Sequence, residues 1–484
     1  MELLAVIPWQ LLLAIIERLA AIWASSHAVL TKRETRAATG WVGLIWLAPV
    51  LGSAAYVCFG INRLRRRGGD LQQRLEMVLA LVRPSVPRCN VAQLETAKEN
   101  FPSFRQMTDL VQQLTGHELL PGNSVRCLQG GEQAYPEMLA AIREARQSVA
   151  LQSYIFDNDR AGQMFIEALR SARDRGVEVR VLIDDMGSRY TRPSAVRVMR
   201  SAGIECRTFL PTYLPSATFY SNLRNHRKLL IVDGSVSFTG GMNIRESCHG
   251  EWKTAEPIRD LHFRLAGPVT QHLQEAFATD WCFAAGEVLT GERWFPLLSP
   301  AGSQWCRGIT DGPDEDFEKL KFTILAAISL AQQRILIATP YFLPDESIIA
   351  ALNVAALRGV QVRILIPERN NIRLVQWAAL ALLPQVLERG CEVFLTPLPF
   401  DHSKLLLIDH HWSLIGSTNW DPRSLRLNFE FNVECYGTDL NQQLAAIFEQ
   451  QRQRSRAVTA EELSQRHLLL RLRDGIARLA SPYI

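Results

Sequence analysis

The chain of 484 residues has no Cys-x-x-Cys pair and little net charge, with 53 basic against 49 acidic side chains giving +4. Each absence excludes a class of function. The nine cysteines (Cys58, Cys89, Cys127, Cys206, Cys248, Cys282, Cys306, Cys391 and Cys435) are scattered and odd in number. That suits a reducing compartment and argues against a disulfide framework or a zinc site. No domain is strongly basic, so nucleic acid is not an expected partner. What remains is a chain long enough for about two to four domains with a substantial core.

Two apolar stretches stand out near the amino terminus, roughly Leu3 to Leu30 and Trp41 to Ile61. The second holds about 20 uncharged residues, enough to cross a bilayer. The first is interrupted by Gln10, Glu17 and Arg18, so it reads either as a span packed on the second or as a helix lying in the interface. A cleaved signal is disfavoured, because no basic region opens the chain and a second apolar stretch follows. Arg63, Arg65, Arg66 and Arg67 follow the second stretch, while the connector carries Lys32, Arg33 and Arg36 against Glu34. If both stretches cross, this distribution places the rest of the chain in the cytoplasm.

Residues 68–120 read as a linker and helical lead-in, with an amphipathic pattern from Leu71 to Val82 and a break at Pro84 and Pro87. Beyond them the texture is α/β: short β-branched runs alternate with helical patterns. It also repeats. Arg175-Gly-Val-Glu-Val-Arg-Val-Leu-Ile-Asp184 returns as Arg358-Gly-Val-Gln-Val-Arg-Ile-Leu-Ile-Pro367. A helix-like stretch precedes each copy, and before it stand Ser148-Val-Ala-Leu-Gln-Ser-Tyr154 and Arg334-Ile-Leu-Ile-Ala-Thr-Pro-Tyr341. Both copies therefore predict strand, helix, strand within a parallel sheet. The expected fold class is α/β, with two pseudo-symmetric domains (121–300 and 301–484) behind a membrane-anchoring segment (1–67).

A motif recurs at matching places after each unit. His226-Arg-Lys228-Leu-Leu-Ile-Val-Asp233 leads to Gly240-Gly-Met-Asn243, and His402-Ser-Lys404-Leu-Leu-Leu-Ile-Asp409 leads to Gly416-Ser-Thr-Asn419. In both, Asp follows His by seven positions and the Gly follows Asp by seven. Positions i and i+2 of a strand share a face, so imidazole and ammonium point the same way. The apolar run predicts a buried strand, and a second strand returns the Gly and Asn alongside it. Folding the copies together would gather two His, two Lys and two Asn at one point.

That inventory suits a phosphodiester. Lysine and Asn groups stabilise charge on the nonbridging oxygens; one imidazole attacks phosphorus; the other moves the proton of the leaving and incoming hydroxyls. The lysines supply the positive charge, so neither metal nor cofactor is needed. An imidazole in this role is oriented by a carboxylate. Glu430, in the apolar run after the second motif, is expected to hold His402. The equivalent spacing in the first copy lands on Thr254, which makes Asp260 the expected partner of His226. His249, His262, His272, His410 and His411 have no matched partners and receive no role.

These residues resemble the phospholipase D superfamily, and nearly the whole chain is similar to the bacterial cardiolipin synthases. The closer likeness rests on Tyr56-Val-Cys-Phe-Gly60-Ile-Asn, Thr339-Pro-Tyr341-Phe-Leu-Pro344, Arg259-Asp260, Gly267-Pro268, Arg423-Ser424-Leu425, Asn428-Phe-Glu430 and a basic, Leu-rich stretch from Leu468 to Ile484. The resemblance implies two phospholipase D-like domains and transfer of a phosphatidyl group from one phosphatidylglycerol to the hydroxyl of another, releasing glycerol. It implies His226 as nucleophile and His402 as acid/base, although near symmetry leaves the reverse order open. His226, Lys228, Asp233, His402, Lys404 and Asp409 form the expected catalytic set, with the two Asp supporting structure, and Asn243, Asn419, Glu430 and Asp260 assist. Gly241 departs from the Ser usual in the superfamily, which Ser417 keeps. The implied partners are phosphatidylglycerol and anionic membrane lipids, and the implied location is the bacterial inner membrane. A phospholipase D, or a transferase using another acceptor alcohol, is the alternative; a non-catalytic lipid-binding protein would be expected to carry degraded motifs. The apolar Phe209–Tyr220 reads as a lipid-dipping loop or a buried connector, and Arg373–Leu387 as a core helix.

Overall fold

The computed structural model describes residues 9–32, 35–60, 77, 105–211, 223–312 and 318–481. The chain divides into two units, Met1–Asp70 and Leu71–Ile484. Apart from Met77, the Leu71–Val82 pattern lies outside the described residues, as do the Pro84 and Pro87 break, the Arg63–Arg67 cluster and all but the start of the Phe209–Tyr220 run.

In the first unit a proline decides the outcome. The first apolar stretch forms one unbroken helix, α1 (Trp9–Thr31). At about 1.5 Å per residue it is roughly 34 Å long, and among the described residues it is the one helix long and apolar enough to cross a bilayer. The second stretch, expected to span, does not run straight. It forms α2 (Thr35–Leu47) and α3 (Pro49–Ala55), with an extended Ala48 (φ −142°, ψ 78°) between them. Pro49 disfavours helical backbone in the residue before it, so the helix stops there. The Trp41 and Tyr56 rings then meet with centroids 5.4 Å apart, whereas a straight helix would separate them by about 22 Å. The second stretch is a helical hairpin. It packs on the small-residue face of α1, formed by Ala21, Ala24, Ser25 and Ala28, and Tyr56 Oη lies 2.8 Å from His27 Nδ1.

The second unit is built on one sheet. Its strands, in chain order, are β1 (Leu120–Gln129), β2 (Ser148–Ser153), β3 (Glu178–Asp184), β4 (Cys206–Phe209), β5 (Leu229–Val232), β6 (Val236–Gly240), β7 (Ile258–Arg259), β8 (Leu261–Ala266), β9 (Gln304–Asp311), β10 (Arg334–Ala338), β11 (Gln361–Pro367), β12 (Glu392–Thr396), β13 (Phe400–Asp401), β14 (Leu405–Ile408), β15 (Trp412–Gly416), β16 (Glu430–Tyr436) and β17 (Arg456–Val458). All but β7 and β13 join a 15-stranded sheet ordered β17-β12-β11-β10-β14-β15-β16-β9-β1-β8-β6-β5-β2-β3-β4. Apart from β17 the order is palindromic about the β9–β1 pair, so the sequence repeat appears as an approximate two-fold. Each half contributes three parallel strands, β2-β3-β4 and β10-β11-β12.

Alternation along the strands sorts side chains to the two faces. Val149 and Leu151 of β2 and Leu230 and Val232 of β5 enter a core belonging to the first half. Ile335, Ile337, Leu406 and Ile408 enter the matching core of the second half. The intervening residues, Ala150, Leu229, Ile231, Leu336, Leu405 and Leu407, face a third core common to both halves, covered by helices Thr270–Ala285 and Thr438–Gln453. The helix Arg105–Thr115 belongs with the second half, because Met107 and Val111 pack with Ile324 and Ile328. One shared apolar layer therefore fixes the halves against each other.

Candidate active site

Each motif begins just before a buried strand, and backbone pairing across the two-fold decides what it meets. Asn225 bridges in parallel to Phe429, with His226 N donating to Phe429 O at 2.8 Å. On the other side β13 pairs in parallel with β7, with His402 N donating to Arg259 O at 2.7 Å. Each motif histidine is thereby laid beside the acid-bearing segment of the opposite half.

The carboxylates follow. Glu430 accepts from His226 Nδ1, both oxygens lying 3.0 Å away, and Asp260 Oδ2 lies 2.7 Å from His402 Nδ1. The two acids are the expected ones and their assignment is reversed: Glu430 holds His226, not His402, and Asp260 holds His402, not His226. The expectation kept each acid with the histidine of its own copy, but the strands that carry them pair across the halves. Asp260 and Glu430 are structural equivalents, each two residues before the ladder partner of the motif glycine (His262 opposite Gly240, Asn432 opposite Gly416). Equal spacing pointed to Thr254 because the first copy is six residues longer between motif and acid, 34 positions against 28.

Both lysines are buried, at 2 % and 4 % exposure. Lys228 Nζ donates to His226 O at 2.7 Å. Lys404 Nζ donates to His402 O and lies 2.8 Å from His402 Nδ1. Asn243 spends its carbonyl oxygen on Ile155 N (3.1 Å), which leaves its amide group uncommitted among the described residues, while Asn419 donates to Ser424 Oγ (3.2 Å). His226, His402, Asn243 and Asn419 line one cleft of about 200 Å³.

The motif aspartates are elsewhere. Both sit at φ 49°, a left-handed conformation that Asp tolerates better than most residues. Asp233 accepts the backbone N–H groups of Arg146, Gln147 and Ser148, and Asp409 those of Gln332, Gln333 and Arg334. They clamp the turn that enters β2 or β10 and do not line the cleft. Their contacts are those of structural support.

Electrostatics in the cleft are governed by burial, which disfavours every charged form. It lowers Lys228 to about 7, with Lys404 adding repulsion, and lowers Lys404 to about 8. His402 falls to about 4 through burial and the Lys404 charge. His226 falls well below its ordinary value through burial and the Lys228 and Lys404 charges. Glu430 rises to about 7 by burial, against the pull of Lys228. Both imidazoles are therefore neutral at neutral pH, as a nucleophilic nitrogen must be.

Several residues of the site went unassigned in the sequence. Tyr154 and Tyr341 stand at matched places after β2 and β10 and pack edge-on against His226 and His402, with centroids 5.1 Å and 6.2 Å away. The repeat already contained both, so their symmetry was an available signal. Arg423, Asp421 and Asn428 also line the cleft, and no matched counterparts in the first copy marked them out.

Comparison with known proteins decides the family. The family described as "Cardiolipin synthase, PLD-like domain" matches residues 138–281 and 324–452, which contain both motifs. The chain belongs to the cardiolipin synthase family. It is thus an enzyme of the phosphatidyltransferase class, and its two domains are phospholipase D-like. The family "Phospholipase D-nuclease N-terminal" matches residues 19–60, the part of the first unit that holds the hairpin. The chain is 33 % identical over 460 residues to the major cardiolipin synthase of Bacillus subtilis, covering 94 % of this chain and 95 % of that one. It is likewise 33 % identical over 471 residues to cardiolipin synthase A of Pseudomonas putida, covering 96 % of each. The crystal structure of phosphatidylserine synthase from Haemophilus influenzae shares the fold, with a TM-score of 0.61 at 15 % identity, over 78 % of this chain and all of that one.

Gly241 is explained by its neighbour. A Cβ there would overlap the Asp260 carboxylate. In the other half Ser417 Oγ donates to Glu430 Oε2 at 2.5 Å. The halves pair Gly with Asp and Ser with Glu.

Proposed function

We propose that the enzyme makes cardiolipin from two phosphatidylglycerol molecules, with release of glycerol, through a phosphohistidine. One observation carries this: two imidazoles, each held at Nδ1 by a carboxylate from the opposite half, line the same cleft, and a buried lysine is bonded to the backbone carbonyl of each. A ring that donates Nδ1–H to its carboxylate keeps a lone pair on Nε2. His226 Nε2 attacks phosphorus as the P–O bond to glycerol breaks; His402, which takes up a proton from solvent as the anionic diester binds, hands that Nε2 proton to the departing oxygen. The hydroxyl of a second phosphatidylglycerol then gives its proton to His402, and its oxygen attacks phosphorus as the P–N bond breaks. The anionic diester adds negative charge to that of Glu430 and Asp260, so binding favours the ammonium forms of the buried lysines and, with Asp260, the imidazolium of His402. The approximate two-fold permits the opposite order of histidines.

The topology supports a bacterial inner-membrane location with the catalytic unit in the cytoplasm. With α1 as a single crossing and α2–α3 doubling back, both ends of the hairpin fall on the side of Lys32 and Arg36, the side the positive-inside rule assigns to the cytoplasm. The test is purified protein in phosphatidylglycerol vesicles, with products read by mass spectrometry. Cardiolipin and glycerol are expected, with His226→Ala and His402→Ala both inactive. Phosphatidic acid alone would identify a phospholipase D, and a product built on another added alcohol would identify a different acceptor.

A further inference from the structure

The last described helix, Leu468–Leu479, presents its apolar side to solvent. Residues advance by about 100° along a helix, which gathers Leu468, Leu469, Leu472, Ile476 and Leu479 into one stripe. Their exposures are 71, 67, 58, 60 and 75 %. Arg471 and Arg478, both exposed, border the stripe on one side. Arg473 borders it on the other, held over the Trp377 ring at 4.4 Å. The buried face is short: Ala477 packs with Leu343 and with Val375, Ala378 and Ala379 of the adjoining helix, and Asp474 accepts from Arg466 and Arg473. A soluble surface rarely leaves so continuous an apolar stripe uncovered. Apolar residues flanked by arginines are the pattern of a helix lying in a lipid interface.

Its place in the fold adds a second argument. The helix packs on Arg373–Leu382, whose Val375, with the preceding Ile372, lines the reaction cleft. One helix thus separates the leucine stripe from the chemistry, and Ile372 is itself 45 % exposed.

We infer that Leu468–Leu479 is an in-plane membrane contact that seats the cleft mouth on an anionic bilayer surface, independently of the amino-terminal helix. Charge selects the occupant: arginines beside an apolar stripe complement phosphatidylglycerol headgroups over acyl chains. The inference rests on the lipid-substrate reading above.

The test uses the full chain in nanodiscs of phosphatidylcholine, alone or with phosphatidylglycerol. Amide hydrogen exchange across 468–479 is expected to slow several-fold when phosphatidylglycerol is added, and Leu472→Ser with Ile476→Ser is expected to abolish the slowing. Half-immersion of each of the two side chains is worth a factor of about three, so the double variant should raise the phosphatidylglycerol fraction at half-maximal rate roughly tenfold. Its kcat, and its rate on monomeric short-chain phosphatidylglycerol, should be unchanged. Equal exchange in both nanodiscs would overturn the inference, as would equal loss of rate on bilayer and monomeric substrate. A fall in assembly mass on light scattering would instead assign the stripe to a second copy of the chain. Exchange needs no turnover, so it remains readable in a protein that makes no cardiolipin, and the two readings fail separately.

Discussion

The exchange of carboxylates between the halves makes a prediction that is independent of which histidine attacks. Glu430→Gln must share the phenotype of His226→Ala, and Asp260→Asn that of His402→Ala. Glu430 gives His226 a charge-assisted hydrogen bond at 3.0 Å to either oxygen. Losing such a bond costs about 1.5–3 kcal/mol, or roughly 10- to 150-fold in rate. Glutamine also offers an N–H where the ring needs an acceptor, and a histidine turned to its wrong tautomer can lose up to about 10⁴-fold. The assay is single-turnover quench with mass detection of the chain carrying a phosphatidyl group, using a phosphatidyl ester of glycerol and one of nitrophenol. An activated phenol departs without general acid, so the nitrophenyl ester should rescue intermediate formation in the acid/base histidine variant and in the variant of its carboxylate. The nucleophile variant and its carboxylate variant should stay unrescued. If Glu430→Gln sorts with His402→Ala, the cross-pairing is wrong and each acid serves its own copy.

Gly241→Ser should lower kcat at least tenfold while binding persists, because its Cβ displaces the Asp260 carboxylate that orients His402; a variant with wild-type turnover would remove that constraint. Asp409→Ala withdraws the acceptor of three backbone N–H groups and should cost about 2–4 kcal/mol, seen as a lower thermal midpoint, with turnover per folded molecule nearly unchanged. Lys228 and Lys404, lowered to about 7 and about 8 by burial, should impose an alkaline limb on kcat/KM in that range, as the ammonium forms that bind phosphate are lost. Stability runs the other way. Since the folded value of Lys228 lies below the ordinary 10.5, the unfolded chain binds its proton more tightly, and the penalty is relieved as pH rises through that window. Lys228→Met should therefore be inactive yet more stable than wild type at neutral pH, with the gap narrowing toward alkaline pH in denaturant titrations.

The sequence alone determined the repeat, the two motifs and the strands that carry them, because each is a local statement. Leu229–Val232 and Leu405–Ile408 are buried strands by composition, and the spacing from His to Asn is that of a strand, a turn and a returning strand. Two matters were beyond local reasoning. Whether Trp41 to Ile61 spans or doubles back turned on one proline and on whether Tyr56 finds Trp41 and His27. Which acid serves which histidine turned on β7 pairing with β13 and Phe429 with Asn225. Spacing along a chain records what backbone geometry requires within a few residues, whereas a hydrogen bond across a two-fold exists only once a shared apolar layer has pressed the halves together.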